Sequence, residues 1–371
     1  MNDVRSLYLH IPFCLSRCRY CDFTSHAGLS PHLREAYLDA LRREITALPK
    51  GELDTLYLGG GTPSLLTPRE LEGVLSAVTS RFSFAEDAEL SLEMNPRTAD
   101  REKLRAYRSL GINRISIGAQ SLSDGELRAL GRAHTAQDFL RAYADAVEAG
   151  FENLSCDLMY GLPTQTLPSL EATLDAVLAL RPMHLSAYGL ILEEGTPLWR
   201  ERESLVLPDE EEEFAMYRRI VERLSDAGYR HYEISNYARD GAVCRHNMTY
   251  WRRNPYYAAG LSASSFVGGV RRTNTASLKD YLADPTNAVA EKTALSPEDA
   301  AFEEVMLSLR LSEGLDEAGF RRRHGYDLYE RKREVLDRYL TAGVLHSEHG
   351  RLYLDDEGLY LSSALLTDLL D

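Results

Sequence analysis

The chain has no apolar run of about 18 residues, so it offers no candidate membrane span. Its N-terminus, MNDVRSLYLHIPFC, lacks both a long apolar core and a small-residue cleavage site, and it does not read as a secretory signal. Low-complexity tracts are missing as well. With 44% hydrophobic and 27% charged residues, the chain can build a full core and is not of the disordered class. Basic residues are the minority, 42 Lys and Arg against 57 Asp and Glu, for a net charge of −15. Nucleic acid is therefore excluded as the main partner, because neutralising phosphates needs a basic face. Cysteine is scarce: five residues, at 14, 18, 21, 156 and 244. Three crowded together and two distant singles make no disulfide framework, which points to a reducing, cytoplasmic compartment and a metal centre.

What is present is a regular alternation. Strand patterns at Leu7–His10, Thr55–Leu58, Glu89–Glu93, Arg114–Gly118, Asn153–Leu158 and His184–Leu190, with a weaker one at Arg230–Ile234, alternate with helical patterns near 31–48, 68–80, 100–109, 136–149, 167–180 and 209–227. Pro31, Pro68 and Pro208 stand where helices would start, and Gly111, Gly150 and Gly228 where they would stop. Such alternation predicts an α/β fold with a parallel sheet, six or seven units being enough for a barrel. The unusual clusters all follow or close strands: the cysteines, Gly59-Gly60-Gly61-Thr62-Pro63, Glu93 and Asn95, Gln120-Ser121, Asp157, and Glu193-Glu194-Gly195-Thr196. In βα-barrels that rim gathers ligands and chemistry. Beyond about 285 the pattern changes to helices opened by Ser296-Pro297-Glu298 and running over Leu315–His324 and Leu328–Ala342. A hairpin of Val344–His346 and Arg351–Leu354 follows, as in a winged-helix-like domain. The expected division is 1–285, with an extension at about 230–285, and 286–371.

The sharpest motif is Cys14-x3-Cys18-x2-Cys21 on a loop leaving the first strand. Cubane iron–sulfur clusters usually take four cysteines. Here only three are local, and Phe23 stands where a fourth could be. A [4Fe–4S] cluster on three thiolates keeps one iron open. That iron can chelate the amino and carboxylate groups of S-adenosylmethionine (SAM) and cleave it after one-electron reduction. Gly59-Gly60-Gly61 would let backbone approach the methionine amino group. Glu93 and Asp157 could accept from ribose hydroxyls or the ammonium group, and Arg132 could pair with the carboxylate. The alternative is a structural zinc site on the same cysteines with His10 or His26 as fourth ligand.

These motifs, with Tyr8-Leu-His10-Ile-Pro-Phe before the cysteines, Leu58-Gly-Gly-Gly-Thr-Pro-Ser64, Glu93-Met-Asn95-Pro96, Asn113-Arg-Ile-Ser-Ile-Gly-Ala-Gln120-Ser121, Gly131-Arg-Ala-His134, Asp157-Leu-Met-Tyr-Gly-Leu-Pro163 and Glu193-Glu-Gly-Thr-Pro197, resemble the coproporphyrinogen-oxidase-like radical SAM family, and within it the heme-chaperone branch. The resemblance runs almost end to end. It implies a partial (β/α)6 barrel with a small C-terminal domain, and SAM contacts at Tyr8, Gly60, Gly61, Thr62, Glu93, Gln120, Arg132 and Asp157. The oxidase branch carries a further cysteine at the position of Phe23 and a longer N-terminal arm. The chaperone branch carries His-Asn-x-x-Tyr-Trp, matched here by His246-Asn247-Met-Thr-Tyr250-Trp251. That match implies heme contact at His246, a neutral imidazole being a good axial ligand. One segment departs: the family commonly shows Gly-x-Gly-x-Gly-Ala-His-Ser where this chain has Ala258-Ala-Gly260-Leu-Ser262-Ala-Ser264-Ser265.

Three functions are thus set against each other. The first is a heme-binding and heme-delivering protein with a SAM–cluster site. The second is a radical decarboxylase of coproporphyrinogen III, and the third a zinc-stabilised barrel. The first implies heme, heme-accepting proteins and an electron donor as partners, with peripheral membrane association but no membrane span.

Overall fold

The computed structural model describes residues 4–370. Six strands form its centre: β1 (Ser6–Ile11), β2 (Gly51–Gly60), β3 (Phe82–Met94), β4 (Arg114–Gln120), β5 (Asn153–Tyr160) and β6 (His184–Gly189). They lie side by side in chain order and run parallel. That single winding separates a barrel from a doubly wound sheet, where the order reverses. Residues on both faces are buried, as in β4, where six of seven residues are, because helices cover one face and the lumen side chains fill the other.

The helices start where local chemistry tells them to. Pro31–Ala47 is capped by Ser30, and Pro68–Thr79 by a capping box of Thr67 and Glu70. Arg101–Ser109, Ala136–Glu148, Leu167–Leu180 and Glu210–Asp226 follow Asp100, Thr135, Thr166 and Asp209. In each case the cap side chain accepts from the third helical N–H and satisfies a donor the helix cannot.

The ends of the sheet differ from the sequence reading. Arg230–Glu233 is a strand, but it does not extend the parallel series. It pairs antiparallel with Asn236–Ala238, which pairs antiparallel with β6. On the other edge Tyr257–Ala259 lies parallel to β1, a strand three residues long and too short to show a period. The sheet is therefore open, with both edges of the six-stranded series covered. Asp157 lies inside β5, which continues to Tyr160.

A second core, gathered on Val305, Leu309, Phe320, Leu336, Leu352 and Leu366, marks the C-terminal unit. It comprises the helices Pro297–Ser308, Glu317–His324, Leu328–Ala342, Asp356–Tyr360 and Ser362–Leu370 and a three-stranded sheet of Leu315–Asp316, Arg351–Leu354 and Leu345–Glu348, a winged-helix arrangement. Strand Val289–Ala294 pairs with Val270–Asn274, so hydrogen bonding groups it with the residues before it, past the expected boundary at 285. Tyr217 Oη donates to Asp356 O at 2.7 Å and ties the two units.

Candidate cluster and cofactor site

A cavity of about 380 Å³ opens at the C-terminal ends of the six strands. It brings together most of the residues singled out by sequence. Cys14, Cys18 and Cys21 line it with Gly60, Gly61, Thr62, Glu93, Gln120, Arg132 and Asp157. Tyr8 does not; it stands behind Tyr57, ring centroids 6.2 Å apart, and Tyr57 takes the cavity wall.

The cysteine loop is held from both sides. His10 Nε2 sits 2.8 Å from Thr24 O, and Arg19 N donates to Leu130 O at 3.0 Å, just before Arg132. All three thiols are free and partly exposed. Thr62 Oγ1 lies 3.6 Å from Cys14 Sγ, and Arg132 Nη1 donates to Cys18 Sγ at 3.5 Å. Between them Asn95 Nδ2 donates to Thr62 Oγ1 at 2.9 Å and Asn95 Oδ1 accepts from Arg132 Nη2 at 2.5 Å. One polar chain thus runs from Cys14 to Cys18, and Asn95 is its middle link. Burial pushes the third thiol, Cys21, up to about 11, and a metal removes that proton.

Among the described residues no three His, Cys, Asp or Glu side chains are placed to hold a single metal ion. Of the zinc alternative's two candidate ligands, His10 is committed to Thr24 and Tyr8, while His26 has Nε2 buried and unpartnered but belongs to no group of three ligands. A cubane gives each thiolate its own iron, so three thiols spread around a cavity mouth fit it better than one tetrahedral ion. Arg132 Nε is buried without a partner, as expected of a donor that waits for a ligand. The residues therefore fit a three-cysteine cluster with SAM beside it.

The glycines serve the protein first. Gly60 has φ +110, and a Cβ there would lie 2.5 Å from the His10 ring; at Gly61 it would lie 2.8 Å from Phe13 O. The triplet allows the cysteine loop to cross close above β2. Gly60 N then donates to Glu93 Oε2 at 3.0 Å, while Tyr57 Oη donates to Oε1 at 2.9 Å. Burial, reinforced by Asp157, raises Glu93 to about 7 against the pull of those two donors. Asp157 accepts from Ser116 Oγ and Ser186 Oγ, both at 2.9 Å, and burial raises it too. Both carboxylates are thus fixed by neutral donors and face the cavity.

His246 is the exception among the expected contacts. It sits on the short helix Arg245–Trp251, fully buried. Its Nδ1 is 2.8 Å from Thr55 Oγ1 and its Nε2 2.8 Å from Tyr250 Oη. Burial lowers it to about 3, so the ring is neutral. With both nitrogens taken, this geometry does not meet the expectation of an axial heme ligand. The ring packs 5.1 Å from Tyr57 and so supports the cavity wall from behind. From the same motif Asn247 does reach the cavity. Sequence reasoning passed over Tyr57, Arg114, Ser116, His184, Ser186 and Tyr188, all cavity-lining. Alternation within the strands was the available signal, since Glu93, Ser116, Asp157 and Ser186 share the lumen face.

The Radical SAM superfamily model matches residues 8–177, and the HemN C-terminal domain model residues 295–361. The heme chaperone HemW of Bacillus subtilis is 34% identical over 97% of both chains. That of Escherichia coli is 35% identical, covering 94% of this chain and 96% of its own. The chain belongs to the heme chaperone HemW family. A further HemW, from Synechocystis, is 40% identical over 83% of this chain and 78% of its own. Among solved structures, coproporphyrinogen III oxidase (HemN) from Escherichia coli, a radical SAM enzyme, superposes with a TM-score of 0.86. It is 25% identical, over 99% of this chain and 90% of that one. The HemW-family chain therefore shares the barrel and the C-terminal domain with the oxidase. What distinguishes the two functions lies in the site.

Proposed function

We propose that this protein is a heme chaperone: it binds heme, carries a [4Fe–4S] cluster on Cys14, Cys18 and Cys21, and holds SAM in the barrel cavity. The observation that carries the reading is the convergence of three free thiols with Arg132, Glu93 and Asp157 on one cavity, in a chain of the HemW family. The cluster supplies one-electron reduction to the SAM it chelates. Everything else falls to the protein. Arg132 offers a carboxylate its free Nε–H, Glu93 and Asp157 accept from ammonium and hydroxyl donors, and Thr62 and Asn95 hold Arg132 against Cys18. Gly60, Gly61 and Gln120 complete the wall. Phe23, 61% exposed at the cavity mouth, stands where an oxidase-type fourth cysteine would be and offers an apolar face instead of a thiol. A flat, apolar macrocycle suits such a mouth.

Heme-accepting proteins, an electron donor and peripheral membrane association belong to the same reading, as does a cytoplasmic location, with which the five free cysteines agree. No helix among the described residues is long and apolar enough to cross a membrane. The test is anaerobic reconstitution followed by parallel assays. The expected result is about four iron and four sulfide per chain, a shifted Soret band on adding heme, and no conversion of coproporphyrinogen III. Robust conversion would replace the chaperone by the oxidase.

A further inference from the structure

The floor of the cavity holds a cation that none of this has used. Arg114, the first residue of β4, is 1% exposed and lines the cavity from below. Its Nε and Nη1 are buried with no hydrogen-bond partner among the described residues. A buried guanidinium without acceptors is costly, and folded chains normally avoid one.

The carboxylates nearby are all committed elsewhere. Glu93 is taken by Tyr57 and Gly60, and Asp157 by Ser116 and Ser186. Glu89, whose charge acts on Arg114, accepts from Arg245 N at 3.1 Å and His246 N at 3.2 Å and so caps the helix that follows. The imidazoles around Arg114 offer it no lone pair either: His184 is 2.7 Å from Ser155 Oγ and 2.8 Å from Tyr232 Oη, and His246 is bonded at both nitrogens. A chain that wanted an internal ion pair has three carboxylates within reach of this one, and makes none.

We propose that Arg114 is the receptor for a carboxylate of the organic molecule that enters the barrel, an anion-binding group distinct from Arg132. Arg132 stands at the cysteine end and already gives Nη donors to Asn95 Oδ1, Gly118 O and Cys18 Sγ. Arg114 gives none to the protein. On the function proposed above, the single carboxylate of SAM falls to Arg132, so the carboxylate that reaches Arg114 is a propionate of the tetrapyrrole.

Arg114→Gln and Arg114→Met decide it, beside wild type. SAM affinity is measured on cluster-loaded protein by equilibrium dialysis, and affinity for heme and heme dimethyl ester by Soret titration. At least tenfold weaker heme binding is expected in both variants, with SAM affinity unchanged. Loss for SAM, alone or together with heme, overturns the proposal. Loss for heme, with the ester indifferent to the substitution, identifies a propionate, and wild type should then also prefer heme to its ester. A folded variant with both affinities unchanged overturns the proposal. So does a severe drop in Tm for Arg114→Met, because an unpaired cation replaced by an apolar side chain of similar length should leave stability equal or higher, whereas a structural counter-charge to Glu89 would not. Failure of wild type to bind heme at all counts against the chaperone reading and not against Arg114, which is then judged by equilibrium dialysis of coproporphyrinogen III, the propionate-bearing tetrapyrrole of the oxidase reading.

Discussion

Glu93 gives the site a pH dependence near neutrality. Its carboxyl is raised to about 7, chiefly by burial and then by Asp157, and is held down by Tyr57 Oη and Gly60 N. From a pKa of about 7, roughly one tenth is ionised at pH 6 and roughly nine tenths at pH 8. A cationic ligand group binds the ionised form. Binding therefore lowers the pKa, and affinity is lost as pH falls through about 7, up to about tenfold between pH 8 and pH 6. A carboxylate with its ordinary value would move this window below pH 5. For folding the sign is the reverse: the raised value means that stability from Glu93 is present below its unfolded pKa and is lost as pH rises through about 7. The assay is anaerobic equilibrium dialysis of SAM on cluster-loaded protein from pH 6 to 8. Because the amino group of SAM also titrates near 8, the measure is the difference between wild type and Glu93→Gln. Equal slopes in the two proteins would refute the reasoning.

Other outcomes follow from the same geometry. Alanine at Cys14, Cys18 or Cys21 should abolish iron and sulfide retention, while Cys156→Ala and Cys244→Ala, both buried away from the cavity, should keep the full complement on elemental analysis. Arg132→Ala should weaken SAM binding by about 1.5–3 kcal/mol, tenfold or more; Asn95→Ala, which only frees the guanidinium from its rest, should lose less in the same dialysis. His246→Ala removes a buried ring and orphans Thr55 Oγ1 and Tyr250 Oη, so denaturant titration should show about 2–4 kcal/mol lost. The axial-ligand spectrum of bound heme should be unaltered in that variant.

The strong periodicities and caps were legible in the sequence. The six strands and six helices lie within a few residues of their expected positions, except that β2 and β3 begin earlier, at Gly51 and Phe82. Cap chemistry and Gly or Pro punctuation mark helix ends locally, and parallel strands buried on both faces read as apolar runs. The misses are tertiary. Nothing local says that Arg230–Glu233 pairs antiparallel or that Tyr257–Ala259 joins the edge of β1. At the site, the motif residues were found because they cluster after strands. Tyr57 and Arg114 were not, since an aromatic and an arginine inside strands look the same whether they face a helix layer or the lumen. His246 shows the converse. Its motif pointed to a ligand, and only its partners Thr55 and Tyr250, one of them 191 residues away, show that both nitrogens are taken.

The departing segment, 258–265, has a structural use that explains why its changes are tolerated. Gly260 keeps its glycine because φ is +111 and a Cβ would lie 2.7 Å from His10 O. Its N–H donates to Glu44 Oε2 at 2.8 Å, and Glu44, raised by burial, also accepts from Asn274 and Tyr281. Ser262, where the resemblance implies glycine, sits at φ +56. A side chain in that region costs of order 1 kcal/mol. Ser262 Oγ, however, lies 2.8 Å from Thr24 Oγ1, and Thr24 O is the atom that holds His10. The strain is thus offset by a bond to the loop that carries Cys14, Cys18 and Cys21. Ser264, at the position of the usual histidine, starts the strand Ser264–Val267 and bonds Thr273 Oγ1 at 3.0 Å, so that position serves the sheet. The segment therefore clamps the cysteine loop to the edge of β1, while Glu93, Arg114, Arg132 and Asp157 line the cavity.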